Sequence, residues 1–202
     1  MSNAQKFTVN VYNFAQLPKE AKQVIIQRNI DSGWYDNSSH EQADYNHSLS
    51  VFASAFNSIS GSLIVGEVAK DQIVQAINRA VQIKAKANPY FEESLQSKYN
   101  GVINTIEDAI EVAQNCPFTG VCTDFYLMDT IIKYLDGTAY QELTVKALLS
   151  KAKAHGRNEL AKQCRYYKSR KHVEESLNEY CEDLFFVDGT KIPQCLYVAQ
   201  AV

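Results

Sequence analysis

The spacing of apolar residues is what most narrows the folds open to this chain. From residue 69 onward they recur at threes and fours: Ile73, Val74, Ile77, Ala80 and Val81, then Leu95, Tyr99, Val102, Ile106, Ala109, Ile110 and Ala113. That period lines one face of a helix and cannot line one face of a strand. It predicts a helix from about 69 to 87, closed by Asn88-Pro89, and another from about 91 to 114 with Gly101 as a candidate break. Phe125 to Leu135 is apolar on more than one side, as a buried helix would be, and Asp136-Gly137 ends it. Two further helices are expected at roughly 140–154 and 157–182, separated by His155-Gly156.

Upstream, Leu17-Pro18-Lys19-Glu20 reads as a helix start, with proline at the first turn and an acid after it. Ala21, Val24 and Ile25 carry its apolar stripe to an end near Asp31-Ser32-Gly33. Trp34, the only tryptophan, follows at once; its ring is expected to pack the joint while its N–H finds a partner. Residues 40–57 predict another helix, with Leu49, Phe52, Ala53 and Phe56 on one face.

Three stretches break the helical rule. Phe7 to Tyr12 alternates apolar and polar residues, and Ser60 to Val68 is short, β-branched and bounded by glycine. Leu184 to Val187 and Lys191-Ile192 flank Asp188-Gly189-Thr190, a hairpin signal. The expected fold class is therefore α+β and predominantly helical. A small antiparallel sheet would come from the N-terminal strand, a strand near 61–68 and the C-terminal hairpin, packed by helices. No repeat or linker divides the 202 residues, so one domain over 1–202 is expected.

Five cysteines, an odd number with no C-x-x-C pair, argue for a reducing cytosol rather than a disulfide framework. No apolar run reaches the length of a membrane span, and no secretory leader opens the chain. A cytoplasmic protein is the expectation.

The net charge of −3 conceals a segregation. Between Lys146 and His172 lie nine basic residues, Lys146, Lys151, Lys153, Arg157, Lys162, Arg165, Lys168, Arg170 and Lys171, against one acid, Glu159. That is +8 locally and −11 over the rest of the chain. The acidic counterpart includes Glu92, Glu93, Glu107, Asp108 and Glu111. Solvation, or pairing with acidic helices inside the molecule, accounts for the basic segment without any partner. A protein partner ranks next. Nucleic acid ranks third, although Tyr166 and Tyr167 beside Arg165 and Lys168 would suit stacking on bases.

Motifs that fix a reaction are missing. There is no phosphate-binding glycine loop, no G-x-S-x-G elbow and no H-E-x-x-H. His40, Asp44 and His47 could share a helix face but lack the i,i+4 spacing of zinc ligands. The neighbouring acids Glu92-Glu93, Glu107-Asp108, Glu174-Glu175 and Glu182-Asp183 diverge on a helix rather than converge for acid–base work. Cys164 and His172 lie two turns apart with no third residue to orient them. No enzyme activity, cofactor or metal is expected.

The two ends of the chain carry a resemblance. Tyr12-Asn13-Phe14-Ala15-Gln16-Leu17-Pro18-Lys19-Glu20-Ala21-Lys22 resembles the Y-x-F-x-E-L-S-x-E-A-K/Q opening of small uncharacterised bacteriophage proteins. Some of these carry the label "antitoxin of a toxin–antitoxin stability system". Gly33-Trp34-Tyr35 is similar to the family's Trp-containing segment. Tyr167-Lys168-Ser169, Val173 to Leu177 and Phe186 to Ile192 are similar to its closing helix and F-x-x-D-G hairpin. Gln16 stands where the family has an acid, the glycine-rich centre is reduced to Ser60-Gly61-Ser62, and the helical middle, about 90–165, matches nothing and reads as an elaboration.

The resemblance implies a phage accessory protein that binds a host protein stoichiometrically. The favoured partner is an anti-phage defence component of the restriction, BREX or CRISPR type. The acidic 90–142 region would then imitate DNA charge or grip that partner. The alternative is a nucleic-acid-binding regulator or antitoxin using residues 146–172. A homodimer is expected, with Leu196, Tyr197 and Val198 of the apolar tail as the candidate interface.

Overall fold

The computed structural model describes residues 9–57, 59, 67–87 (side chains over 69–81), 103, 105–114, 116, 119 and 121–193. Seven α-helices lie among them: α1 (Lys19–Ser32), α2 (Ser38–Phe56), α3 (Glu67–Ala87), α4 (Ile106–Gln114), α5 (Thr123–Leu135), α6 (Val145–Tyr167) and α7 (Arg170–Tyr180). The chain divides into two compact units. Unit 1 joins residues 1–38 to 164–202, and unit 2 is the intervening 39–163.

Unit 1 is built from both ends of the sequence. A single 3-10 turn, Phe14–Gln16, opens it, fixed by a reciprocal cap. The Gln16 amide N–H donates to Asn13 Oδ1 and the Asn13 N–H donates to Gln16 Oε1, each at 3.1 Å. Glutamine at this position thus keeps the carbonyl acceptor that the capping arrangement needs from Glu or Gln. Helix α1 ends where Gly33 turns left-handed (φ 66°), its N–H closing on Ile30 O. The core joins Phe14, Leu17, Ala21, Ile25 and Ile26 to Val173 and Leu177 of α7 and to Phe185.

The expected sheet does not form. Among the described residues there is no strand, only isolated antiparallel bridges linking Tyr12 to Phe185 and Phe185 to Lys191. Tyr12 and Phe185 exchange both backbone hydrogen bonds, at 3.0 and 2.8 Å. The turn at 188–190 is tight: Gly189 takes φ 84°, and its N–H donates to Phe186 O. The Thr190 N–H donates to Asp188 Oδ1 at 2.8 Å. Beyond that pair the backbone contacts are confined to the turn, where the Phe186 N–H donates to Thr190 O and the Ile192 N–H to Leu184 O, each at 2.9 Å, while the Phe185 side chain packs into the core with α1 and α7. Of the strand expected near 61–68, residues 61–66 lie outside the described residues, while Glu67 and Val68 are the first residues of α3.

Unit 2 is helical. Helix α4 packs on α5, and α3 on α4. Nine of the thirteen residues of α5 are buried, among them Leu127, Met128, Ile131 and Tyr134. Three of its buried residues are polar. Asp124 accepts from the Thr119 N–H at 2.7 Å and from the Thr119 hydroxyl at 2.9 Å, and the Thr123 and Ser48 hydroxyls meet at 2.8 Å. These bonds satisfy Asp124 and Thr123, which burial would otherwise penalise, whereas the buried Thr130 hydroxyl has no partner among the described residues.

His155-Gly156 does not separate two helices. Helix α6 runs through it, and the break falls at Lys168-Ser169, where the Ser169 hydroxyl accepts the His172 N–H and caps α7. Gly156 is a packing glycine: a Cβ built there would lie 3.0 Å from Leu127 Cδ2 and from Tyr45 Cε2 and Oη. No described helix is long and apolar enough to cross a membrane.

Candidate interaction surfaces

In unit 1 the left-handed Gly33 makes the chain double back after α1, with the Asp36 N–H returning to Gly33 O at 3.0 Å. The two aromatic residues on this turn divide. Tyr35 packs against the core, and burial raises its phenol pKa. Trp34 does not pack the joint as its type suggested; it stands 78% exposed. The core slot beside the turn is already filled by Tyr35 and Ile30, so the indole is left facing solvent.

The start of α7 meets this turn. His172 Nε2 lies 3.1 Å from Tyr35 O, and its ring packs against Tyr166 and Tyr167 at 4.9 and 5.1 Å between centroids. The Tyr166 hydroxyl donates to Glu175, which raises its pKa. The Asp36 carboxyl is held below the usual range by hydrogen bonds from Ser38, the N–H at 2.9 Å, and lies 3.8 Å from Lys168 Nζ. Two concavities flank Tyr35. One of about 340 Å³ is lined by Tyr35, Asp36, Tyr167 and Lys168; the other, of about 260 Å³, by Arg28, Trp34, Tyr35, Cys181 and Lys191.

The nine basic residues do not form one face. At about 100° per residue, positions seven and eleven apart fall within about 20° of one line along a helix. Lys146, Lys153 and Arg157 therefore share one side of α6, and Lys151 and Lys162 share another. Lys151 sits over the Tyr140 ring at 5.3 Å, and Lys162 pairs with Glu159 at 2.5 Å. Lys171 approaches Glu175 at 3.8 Å. Lys146, Lys153, Arg157, Arg165 and Arg170 make no salt bridge among the described residues, and all but Lys153 are exposed.

The first side borders a groove in unit 2. Its floor is Phe52 and Phe56, stacked at 4.6 Å, with Ile59 and Leu149; Lys146 and Lys153 stand on its rim. The cavity is about 440 Å³.

Of the acidic candidates, only Glu107, Asp108 and Glu111 fall among the described residues, all on α4. Glu92 and Glu93 lie outside the described residues, as do Leu196, Tyr197 and Val198. Glu107 and Asp108 occupy the first turn of α4, where carboxylates favour the helix dipole. Asp108 and Thr105 also cap each other: Thr105 Oγ1 accepts the Asp108 N–H at 3.0 Å, and Asp108 Oδ2 accepts the Thr105 N–H at 3.4 Å. Glu111 is exposed further along the same helix.

Residues weighed for catalysis go separate ways. The Cys164 thiol is 3.9 Å from Ser38 O, while His172 is turned to Tyr35 O. His155 pairs with Asp129 at 3.1 Å, and Lys133 reaches the same carboxylate oxygen at 2.6 Å. His40, Asp44 and His47 are exposed, and no group of three metal-ligating side chains gathers among the described residues.

Sequence reasoning found the basic segment but missed its division into two sides and the groove beside one of them. The intervals 146, 153 and 157 carried that signal. Nothing local marked Trp34 as exposed. No family model, curated protein or solved structure matches the chain, so the resemblance stands on the residues that carry it. Those residues, 12–22, 33–35, 167–177 and 186–192, all fall in unit 1.

Proposed function

We propose that the protein acts by stoichiometric binding of a partner protein, and that the turn after α1 with the start of α7 forms the recognition surface. The observation that carries this reading is Trp34, an exposed indole on a turn fixed by Gly33, with Arg28 lining the same concavity. Trp and Arg are the residue types that dominate binding energy at interfaces, and a fixed backbone lowers the entropy lost on docking. Arg165 and Arg170, which make no salt bridge among the described residues, favour an acidic partner surface and would speed encounter with it. The resemblance in the same unit supplies the setting: a bacteriophage accessory protein whose partner is a host component, a defence system being the favoured class.

Tyr166 and Tyr167 speak against nucleic acid, because they pack on His172 instead of offering free faces to bases. The test compares complexes formed in host extract by the wild-type protein and by Trp34→Ala, sized by light scattering. A defined complex kept by wild type and lost by the variant supports the proposal. Equal recovery by both overturns it. DNA binding that falls steeply between about 50 and 200 mM salt would replace it with the nucleic-acid reading.

A further inference from the structure

We infer that the concavity of unit 1 between α1 and the start of α7 is a binding site for a phosphoryl anion, either a phosphate ester or a short polyphosphate. This goes beyond the reading built on Trp34, with which it shares only Arg170. Lys19, Lys22, Gln23 and Ile26 recur at threes and fours and so share one face of α1. Helix α1 packs on α7, and these four residues line a concavity of about 460 Å³ together with Arg170 and Glu174. Small-ligand sites typically measure about 300–1,000 Å³.

Charge selects the ligand. Three cations, Lys19, Lys22 and Arg170, stand against one acid, Glu174, so the walls carry +2. None of the three makes a salt bridge among the described residues; Arg170 and Glu174 are one turn apart, yet no ion pair links them. Lys22 is already held in place. Its ammonium donates to Ala15 O at 2.7 Å and lies 5.7 Å from the centre of the Phe14 ring, which leaves two of its three N–H donors for a ligand. Arg170 adds a planar fork suited to two oxygens of one phosphate, Lys19 a point charge and Gln23 an amide donor. Helix stability does not explain Arg170. Helix α7 opens on Arg170-Lys171-His172, with no acid in its first turn and no base in its last. The helix dipole favours the opposite order, so these cations weaken the helix until an anion lies beside them. A dianion balances the +2, whereas a single carboxylate leaves half of it.

The experiment uses the full chain and isothermal titration calorimetry with pyrophosphate, glycerol phosphate and malonate at matched ionic strength. At least one of the two phosphate compounds should bind with a Kd of about 0.1–1 mM, and its binding should weaken as salt rises. Tighter binding of pyrophosphate assigns the site to an inorganic polyphosphate, and tighter binding of glycerol phosphate assigns it to a phosphate ester; either supports the proposal. Lys19→Gln with Arg170→Gln, both at exposed positions, should weaken binding at least about tenfold while the circular dichroism spectrum stays the same. Lys151→Gln with Lys162→Gln removes the same charge from unit 2 and should leave binding unaltered. The reading is overturned by any of four results: no binding of either phosphate compound at about 10 mM, unchanged affinity in the first double variant, an equal loss in the second, or equal affinity for malonate, a carboxylate dianion. Trp34→Ala should leave anion binding unchanged, so this site and the surface around Trp34 stand or fall separately.

Discussion

Replacing Gly156 by alanine reverses the usual sign of that change. In a helix interior, Gly→Ala normally stabilises by about 0.8–1 kcal/mol, because alanine loses less backbone freedom on folding. Here the new Cβ would sit 3.0 Å from Leu127 Cδ2, Tyr45 Cε2 and Tyr45 Oη. Comfortable carbon–carbon contact lies at about 3.5–4.0 Å, so the two carbon contacts are short by at least about half an ångström. Neither neighbour has room to yield. Leu127 is fully buried, Tyr45 nearly so, and the Tyr45 hydroxyl donates to Lys153 O at 3.3 Å. Overpacking of this kind costs about 1–3 kcal/mol. Set against the propensity gain, a net destabilisation of about 1 kcal/mol is expected. Urea unfolding followed by far-ultraviolet circular dichroism would show it, as would a melting temperature lower by about 2–4 °C. In a Leu127→Ala background the space is open and the same substitution should become neutral or stabilising, a coupling of about 1–2 kcal/mol. If Gly156→Ala stabilises the otherwise unaltered protein, the close approach of α6 to Tyr45 and Leu127 is refuted.

Gly189→Ala should cost about 2 kcal/mol: its φ of 84° is strained for any side chain, and the new Cβ would meet Ala21 O at 3.2 Å. An unchanged urea midpoint would contradict the turn. The Asp188 carboxyl is held below its ordinary pKa by hydrogen bonds from the Thr190 backbone and side chain. A depressed carboxylate adds stability above its unfolded-state pKa and loses it as pH falls through the folded value. The stability difference between wild type and Asp188→Asn should therefore shrink below about pH 4; a constant difference down to about pH 2 would disprove it. Trp34, as the only indole, should emit like a solvated tryptophan and be quenched by acrylamide nearly as readily as the free amino acid. Trp34→Ala should change stability by less than about 0.5 kcal/mol, and a blue-shifted, protected emission would show the ring is covered.

Helical periodicity was readable because it is a local signal. Helix α1 begins and ends where Pro18-Lys19 and Gly33 place it, and α5 is buried on the sides its sequence left apolar. What misled was chemistry whose meaning depends on distant residues. Gly156 resembles a helix breaker until Tyr45 and Leu127 are seen against it, and Ser169 marks a boundary only because its hydroxyl caps the next helix. The alternation before Asn13 and around Asp188-Gly189 was real, yet strands need partners of matching length, and Phe185 offers each side a single bridge. For the candidate surfaces, the charge segregation was visible in the sequence. Its partition around α6 needed the helix to be continuous through residue 156, and Asp108 owes its place to a cap rather than to a patch.

Unit 1 closes only when the first and last parts of the chain meet, since Phe14, Ile25 and Ile26 share a core with Val173, Leu177 and Phe185. During synthesis, the 125 residues of unit 2 emerge between those two halves. At about 5–20 residues per second, α1 waits roughly 6–25 s with its apolar face uncovered before α7 exists to receive it. All the described helices of unit 2 have been made by then. The segments at 12–22, 33–35, 167–177 and 186–192 thus become one folded surface only after the whole of unit 2 has been made, so any function seated there waits on the synthesis of unit 2.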